Sequence, residues 1–175
     1  MGLKLCSRDG ARLELDVEGY QFPANVESPL PEVDLNWLVI RVDASDSGGH
    51  SWVASDPCLL STELCDLAEW LSRHSSDGGA FPSIQFMEPC LRMEVESAGD
   101  RSVSEIGDEE VTLVVHLDCE LGLPLDTQHG RVRLEMPLRF ALTREELREA
   151  AGACRNLSEA FPVRSREPVC GLELP

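Results

Sequence analysis

Apolar and polar residues alternate along several stretches of the chain, which is the pattern of a β-strand with one buried face. The runs lie at residues 12–18, 91–96, 111–119 and 131–140. A run at 34–43 differs, because it is apolar on both faces and predicts a central strand covered on both sides for part of its length. A Gly-rich turn and a short strand containing Trp52 follow it.

The last of these runs predicts one long strand with an edge position. Its members with inward-facing side chains are Val132, Leu134, Met136, Leu138 and Phe140. Pro137 points outward and cannot donate a ladder hydrogen bond, so this strand is predicted to be an edge or to bend there.

Two stretches repeat apolar residues at intervals of three and four, which predicts helices over about 61–73 and 144–160. Thr143 and Glu146 have the spacing of a capping box at the second start. Strands joined by hairpins, with only two helices, predict an α+β fold built mainly on an antiparallel sheet of about six to eight strands, curved or sandwich-like. We expect a single globular domain over 1–175 with an extended C-terminal tail at 165–175.

The charge narrows the class of partner. The chain has 175 residues and a formal net charge of −17, from 15 Lys and Arg against 32 Asp and Glu. Such a field repels nucleic acid and anionic membranes, and it can steer a basic protein into contact. Many acidic domains have no basic partner, and that alternative stays open.

The cysteines and the N-terminus indicate a cytoplasmic protein. Seven cysteines occur at scattered positions, and none forms a C-x-x-C pair. This pattern favours reduced, packed thiols over a disulfide framework or a zinc knuckle. The first residues contain no long apolar run, so neither a signal peptide nor a transmembrane span is expected.

Few groups of residues have the spacing of a catalytic or metal-binding site. His116, Asp118 and Glu120 alternate along one strand and could bind a metal or take part in acid–base catalysis. The alternative is a solvent-exposed strand face on which these residues form ion pairs with arginines. Cys58 or Cys65 with His74 would need an electropositive setting, and carboxylates surround them in sequence instead. No catalytic residue, metal site or cofactor is predicted.

Acidic residues near the middle of the chain are the predicted contact surface for a basic partner. They are Glu105, Asp108, Glu109, Glu110, Asp118 and Glu120. The stretch at 105–110 lacks the ligand order of a calcium-binding loop, so a solvated acidic loop is expected.

Short landmarks follow one another in a characteristic order. They are Tyr20-x-Phe22-Pro23, Asn36-Trp37-Leu38, Trp52, the run from Asp56 to Leu64, Leu67-x-x-Trp70-Leu71, Phe86-x-Glu88-Pro89-x-Leu91, Phe140-x-Leu142-Thr143 and Phe161-Pro162-Val163-Arg164. This order, over about residues 20–164, resembles a family of small bacterial proteins that includes WapI-type immunity proteins. The resemblance implies a cytosolic protein that binds and blocks a cognate toxin domain, and it brings no catalytic residues.

Two hypotheses of different classes follow. The first is a non-catalytic immunity protein that neutralises a toxin by direct contact. The second is a small-ligand-binding protein or small enzyme with a pocket on the sheet face, for which His116, Asp118 and Arg133 are the first candidates. A homo-oligomer is a third reading that the sequence leaves open.

Overall fold

A computed structural model describes residues 2–23, 31–76, 81–96 and 110–165. These residues form ten strands in three antiparallel sheets and two helices, which confirms the predicted α+β class. Residues 166–175 lie outside the described ranges, so the extended tail stays a prediction, as does the single domain.

The first half of the chain is a four-stranded meander followed by a helix. The strands are β1 (Leu3–Cys6), β2 (Arg12–Tyr20), β3 (Trp37–Ser45) and β4 (Ser51–Leu60), in the order β1-β2-β3-β4. A 3₁₀ helix, Glu32–Asn36, precedes β3, and α1 (Ser61–Ser75) follows β4. Each pair of neighbours is antiparallel.

The second half repeats this plan with an insertion. Its strands are β5 (Ser83–Gln85), β6 (Leu91–Glu96), β7 (Val111–Leu117) and β10 (Met136–Leu142), and α2 (Arg144–Ala160) follows. The sheet order is β10-β7-β6-β5, so β10 is an edge strand, as Pro137 predicts. The inserted strands β8 (Leu123–Thr127) and β9 (Gly130–Leu134) pair with each other as a separate two-stranded sheet.

The two halves therefore share a topology that the sequence does not show as a repeat. In the described residues each half is four antiparallel strands in chain order and then a helix, and the β8–β9 hairpin lies between the third and fourth strands of the second half. Leu117 and Met136, where the insertion leaves and returns, are direct cross-strand partners.

Both helices begin with a hydrogen bond from the backbone N–H of the N-cap residue to a glutamate carboxylate three residues later. At α1 the Leu60 backbone N–H donates to Glu63 Oε2 at 2.8 Å. At α2 the Thr143 N–H donates to Glu146 Oε2 at 2.7 Å, and the Glu146 N–H donates to Thr143 Oγ1 at 3.2 Å, which confirms the predicted capping box. A carboxylate three residues after the cap satisfies a backbone donor that would otherwise lack a partner.

The core joins the two halves. The helices pack against each other, with α1 near β4 and α2 near β1 and β10. Their apolar stripes and the inward faces of both four-stranded sheets form one cluster of buried residues. The largest fully buried side chain is Phe140, on β10.

The run at 131–140 is not one buried strand. It divides into β9 and β10, and Val132 and Leu134 are both 43% exposed. The prediction that they face the core was wrong, because alternation on a hairpin outside the main sheets looks the same in sequence as alternation over a core. Strand β4 continues through Asp56 and Pro57 to Leu60, past a bulge.

Landmarks from the two ends of the chain meet in a clasp, defined here as Tyr20, Asn36, Phe161 and Arg164. The Arg164 guanidinium lies over the Tyr20 ring, 3.2 Å from its centroid. Asn36 donates from Nδ2 to the Arg164 carbonyl at 3.0 Å and accepts the Arg164 N–H at 2.6 Å. The Tyr20 hydroxyl donates to the Pro162 carbonyl, and its ring packs edge-on against Phe161. The clasp ties the segment after α2 to the end of β2 and the start of β3.

Neither helix in the described ranges combines the length and the apolar character needed to span a membrane.

Candidate interaction surface

The β8–β9 hairpin exposes an apolar face. Cross-strand partners share a face, so the pairs Leu123↔Leu134 and Leu125↔Val132 place four aliphatic side chains on one side. Leu125 is 44% exposed, and Val132 and Leu134 are 43% exposed. On the opposite face Arg131 pairs with Asp126 at 3.0 Å. Clustered apolar exposure rimmed by charge is typical of a protein interaction site.

The base of this hairpin is firmly held. Buried Trp52 donates its indole N–H to the Leu121 carbonyl at 2.9 Å, which fixes the 3₁₀ helix Cys119–Leu121 against β4. Arg133 donates to the Gly122 carbonyl at 3.0 Å. A Cβ at Gly122 would lie 2.5 Å from the Leu134 carbonyl oxygen, so the close approach of the two strands requires glycine here. The hairpin is thus an exposed element on a fixed support.

Three carboxylates lie beside that base and form what we call the acidic corner: Asp56, Glu88 and Glu120. Burial raises the pKa of Asp56, and the charges of Glu120 and Glu88 raise it further. Glu88 and Glu120 are exposed, and Asp56 is half-buried. Negative charge is therefore concentrated next to the hairpin, where these three carboxylates lie near one another.

The predicted partner-binding residues occupy different settings. Glu120 lies in the acidic corner, but the Asp118 carboxylate accepts the Cys119 N–H at 2.7 Å and caps the 3₁₀ helix. Glu110 forms an exposed ion pair with Arg8 at 2.8 Å. Glu105, Asp108 and Glu109 lie outside the described residues.

His116 belongs to a charged network on the second sheet. Its Nε2 lies 3.0 Å from Glu94 Oε1 and its Nδ1 lies 2.9 Å from Glu135 Oε1. Arg92 contacts the same ring at 3.0 Å and pairs with Glu94 at 3.2 Å. The hydrogen bond from His116 is the main reason that the pKa of Glu94 is lowered. These contacts occupy both ring nitrogens, and the structure does not bring His116 together with Asp118 or Arg133.

The thiol and histidine candidates also do not meet as a nucleophile and base. Buried His74 contacts the Phe81 carbonyl oxygen through Nε2 at 2.9 Å and packs against Trp70. Cys58 is fully buried, and burial raises the pKa of its thiol. A thiol held in its protonated form is a poor nucleophile, so the prediction of an inert, packed Cys58 fits the structure.

A different group of residues could hold a metal ion, although no motif in the sequence indicates it. One potential ligand atom from each of Cys90, Cys119 and Glu120 lies within 4.8 Å of the other two. Cys90 is far from the other two in sequence, and the adjacent pair Cys119 and Glu120 has no metal-binding spacing. Only the strand register therefore shows that the three residues meet.

An open groove of about 330 Å³ lies between β1 and α2 and is lined by residues that include Lys4, Cys6, Glu146 and Ala150. It contains none of the residues of the small-ligand hypothesis, His116, Asp118 and Arg133.

Comparison with known proteins identifies the family. Among solved structures the chain is similar to the plant transcriptional regulator PBF-2, at 13% identity, 92% coverage of this chain, 89% of that chain and a TM-score of 0.40. That likeness is too low to support an inference. No curated protein matches the chain. The model of the immunity protein WapI-like family matches residues 4–162, which is most of the chain. The chain therefore belongs to the WapI-like immunity protein family.

Proposed function

We propose that this protein is a non-catalytic immunity protein that acts in the bacterial cytoplasm and neutralises a cognate toxin domain by direct contact. The observation that carries the proposal is the family match over residues 4–162. An immunity protein needs a stable scaffold with an exposed recognition surface and needs no reaction chemistry of its own.

The recognition surface we propose is the apolar face of the β8–β9 hairpin together with the acidic corner. Exposed aliphatic side chains provide area that is favourable to bury, and an element on a rigid support loses little freedom on binding. The matching toxin surface would be an apolar groove flanked by Lys and Arg. Asp118 and Glu120, two of the acidic residues singled out in the sequence, lie at the base of the hairpin and would extend the negative rim. We propose that the other four, Glu105, Asp108, Glu109 and Glu110, make a further acidic contact with the partner.

The net charge of −17 supports a basic partner. Complementary charge acts mainly on encounter, so added salt should slow association much more than it speeds dissociation. Between low and high salt we expect the association rate constant to fall by roughly tenfold or more. A rate constant independent of salt would contradict a basic toxin surface.

The alternative of a small-ligand-binding protein or enzyme has weaker support. In the described residues His116 is surrounded by Arg92, Glu94 and Glu135. The groove beside β1 is not lined by any of the three residues of this hypothesis, His116, Asp118 and Arg133. Contacts among neighbouring side chains account for this polar face without a substrate.

Co-expression with a toxin domain from an adjacent reading frame tests the function. The wild-type chain should protect cells and co-purify with the toxin domain, and failure of both would overturn the proposal. Val132→Asn combined with Leu125→Asn should weaken binding by about tenfold or more, the loss typical of interface residues. The matched control is Val53→Asn on β4, where an exposed valine, 51% accessible, lies outside the proposed surface.

A further inference from the structure

Three cysteines that are distant in sequence lie close together at the acidic corner. Cys90 is 4% exposed, Cys58 is fully buried and Cys119 is half-buried. Burial is the main cause of the raised pKa of both Cys58 and Cys90. The nearby Cys90 thiol raises the pKa of Cys58 further, and the nearby Cys119 raises that of Cys90. One ligand atom from each of Cys90, Cys119 and Glu120 lies within 4.8 Å of the other two.

Strand register creates this arrangement. Leu91 and Leu117 are cross-strand partners at the ends of β6 and β7, and the Asp118 N–H donates to the Cys90 carbonyl at 2.9 Å. The next residue, Cys119, has a φ of +47°, an uncommon conformation for a residue other than glycine. The chain turns there into the 3₁₀ helix Cys119–Leu121, which carries Glu120 and is anchored by Trp52.

Carboxylates complete the set of donor atoms. Asp56 Oδ2 lies 3.9 Å from Cys90 Sγ. Two sulfur and two carboxylate ligands suit Zn²⁺, which is bound tetrahedrally by Cys and Asp or Glu side chains. A Zn–S distance of about 2.3 Å places two tetrahedral sulfurs about 3.8 Å apart, so small side-chain movements would bring the ligands to their bonding positions.

We propose that Cys90, Cys119 and Glu120, with Asp56 as the fourth ligand, form a binding site for Zn²⁺. Burial decreases outward from Cys90 through Cys119 to exposed Glu120, which gives the ion a path of entry. A cation at this point would also offset the repulsion among the carboxylates of Asp56, Glu88 and Glu120.

Binding must release protons. A cysteine binds Zn²⁺ as the thiolate, so the ion must displace a proton from each thiol that coordinates it at neutral pH. The association constant should therefore rise by about tenfold or more for each unit of pH near neutrality. An association constant that does not change with pH would mean that no thiol is deprotonated on binding, and it would overturn the site.

The direct test is titration of the reduced full-length chain with Zn²⁺ in competition with a chromophoric chelator, which measures affinity. A second titration with Cd²⁺ records the thiolate-to-metal absorption, which detects cysteine ligands. We expect one ion per chain, a dissociation constant of about 1 µM or tighter and a thiolate absorption band. The absence of binding, or of the band, would overturn the proposal.

Variants locate the ion. Cys119→Ser should weaken binding by more than about 100-fold, the upper end of what the loss of an outer-shell partner costs, and Glu120→Gln by about tenfold or more. Cys119 is half-buried and Glu120 is exposed, so both variants should fold and remain informative if Cys90→Ser does not fold. Cys65→Ser, at an exposed cysteine on α1, is the matched control and should bind as the wild type does. Binding that Cys119→Ser leaves unchanged would contradict the assignment.

Discussion

The guanidinium carbon of Arg164 lies 3.2 Å from the centre of the Tyr20 ring. Arg164 Nη1 also donates to the Phe22 carbonyl at 2.8 Å, and the Arg164 backbone is bound on both sides by the Asn36 amide. The segment after α2 is thereby attached to the first sheet. Tyr20, Phe22, Asn36 and Arg164 belong to landmarks noted in the sequence, and their contacts join landmarks that are far apart along the chain.

Removing the Arg164 side chain should destabilise the fold. Arg164→Ala loses the cation–π contact and the hydrogen bond to Phe22, so we expect the free energy of unfolding to fall by about 1–3 kcal/mol. Urea denaturation measures this loss. Arg155→Ala, at an exposed arginine on α2, is the control and should change stability by less than about 0.5 kcal/mol. Equal effects of the two substitutions would contradict the clasp.

The Glu63 carboxylate connects the start of α1 to the second sheet. Its Oε2 accepts the Leu60 N–H at 2.8 Å and its Oε1 accepts the Met87 N–H at 2.7 Å. Glu63→Ala leaves two backbone donors without this partner and should cost about 1–3 kcal/mol in thermal or urea unfolding. Glu69→Ala removes an exposed carboxylate on the same helix, paired with Arg73, and should cost no more than about 0.5 kcal/mol.

Glu94 should make the fold sensitive to acid. His116 holds the pKa of Glu94 below its ordinary value of 4.5. Because the folded pKa is lower than the unfolded one, the stabilisation is complete above the unfolded value and is lost as the pH falls through the folded value. Glu94→Gln should therefore reduce the slope of stability against pH below about pH 4.5, measured by urea unfolding at several pH values. Glu159→Gln on α2 should keep the wild-type slope, and an unchanged slope in Glu94→Gln would contradict the assignment.

The hairpin should tolerate polar substitutions that the core does not. Leu125→Asn with Val132→Asn changes exposed side chains and should alter the free energy of unfolding by less than about 1 kcal/mol. Phe140→Ala, at a fully buried position on β10, should cost about 3–5 kcal/mol. A hairpin variant as unstable as the core variant would show that the apolar face is packed and not available for a partner.

Local signals were sufficient to predict the helices. The apolar stripes and the Thr143–Glu146 capping box act within a few residues, so the predicted bounds, about 61–73 and 144–160, agree closely with Ser61–Ser75 and Arg144–Ala160. Pro137 predicted the edge strand for the same reason, since the missing donor is a property of one residue.

Features that depend on which strands pair could not be predicted in this way. Val132 and Leu134 alternate with arginines as a buried strand does, but the hairpin that holds them has no core beneath it. Cys90 and Cys119 meet because Leu91 pairs with Leu117, and nothing near either cysteine in sequence encodes that register. The sequence therefore predicted packed thiols, whereas the structure shows two of them beside a carboxylate.

The β8–β9 hairpin departs from the sheet and rejoins it at two paired residues, Leu117 and Met136. A graft that replaces β8 and β9 but keeps residues 118–122 would preserve the Trp52–Leu121 hydrogen bond and leave the register of the eight remaining described strands as it is. Relatives of this chain could therefore acquire new binding preferences by exchanging one short segment, at little cost to folding.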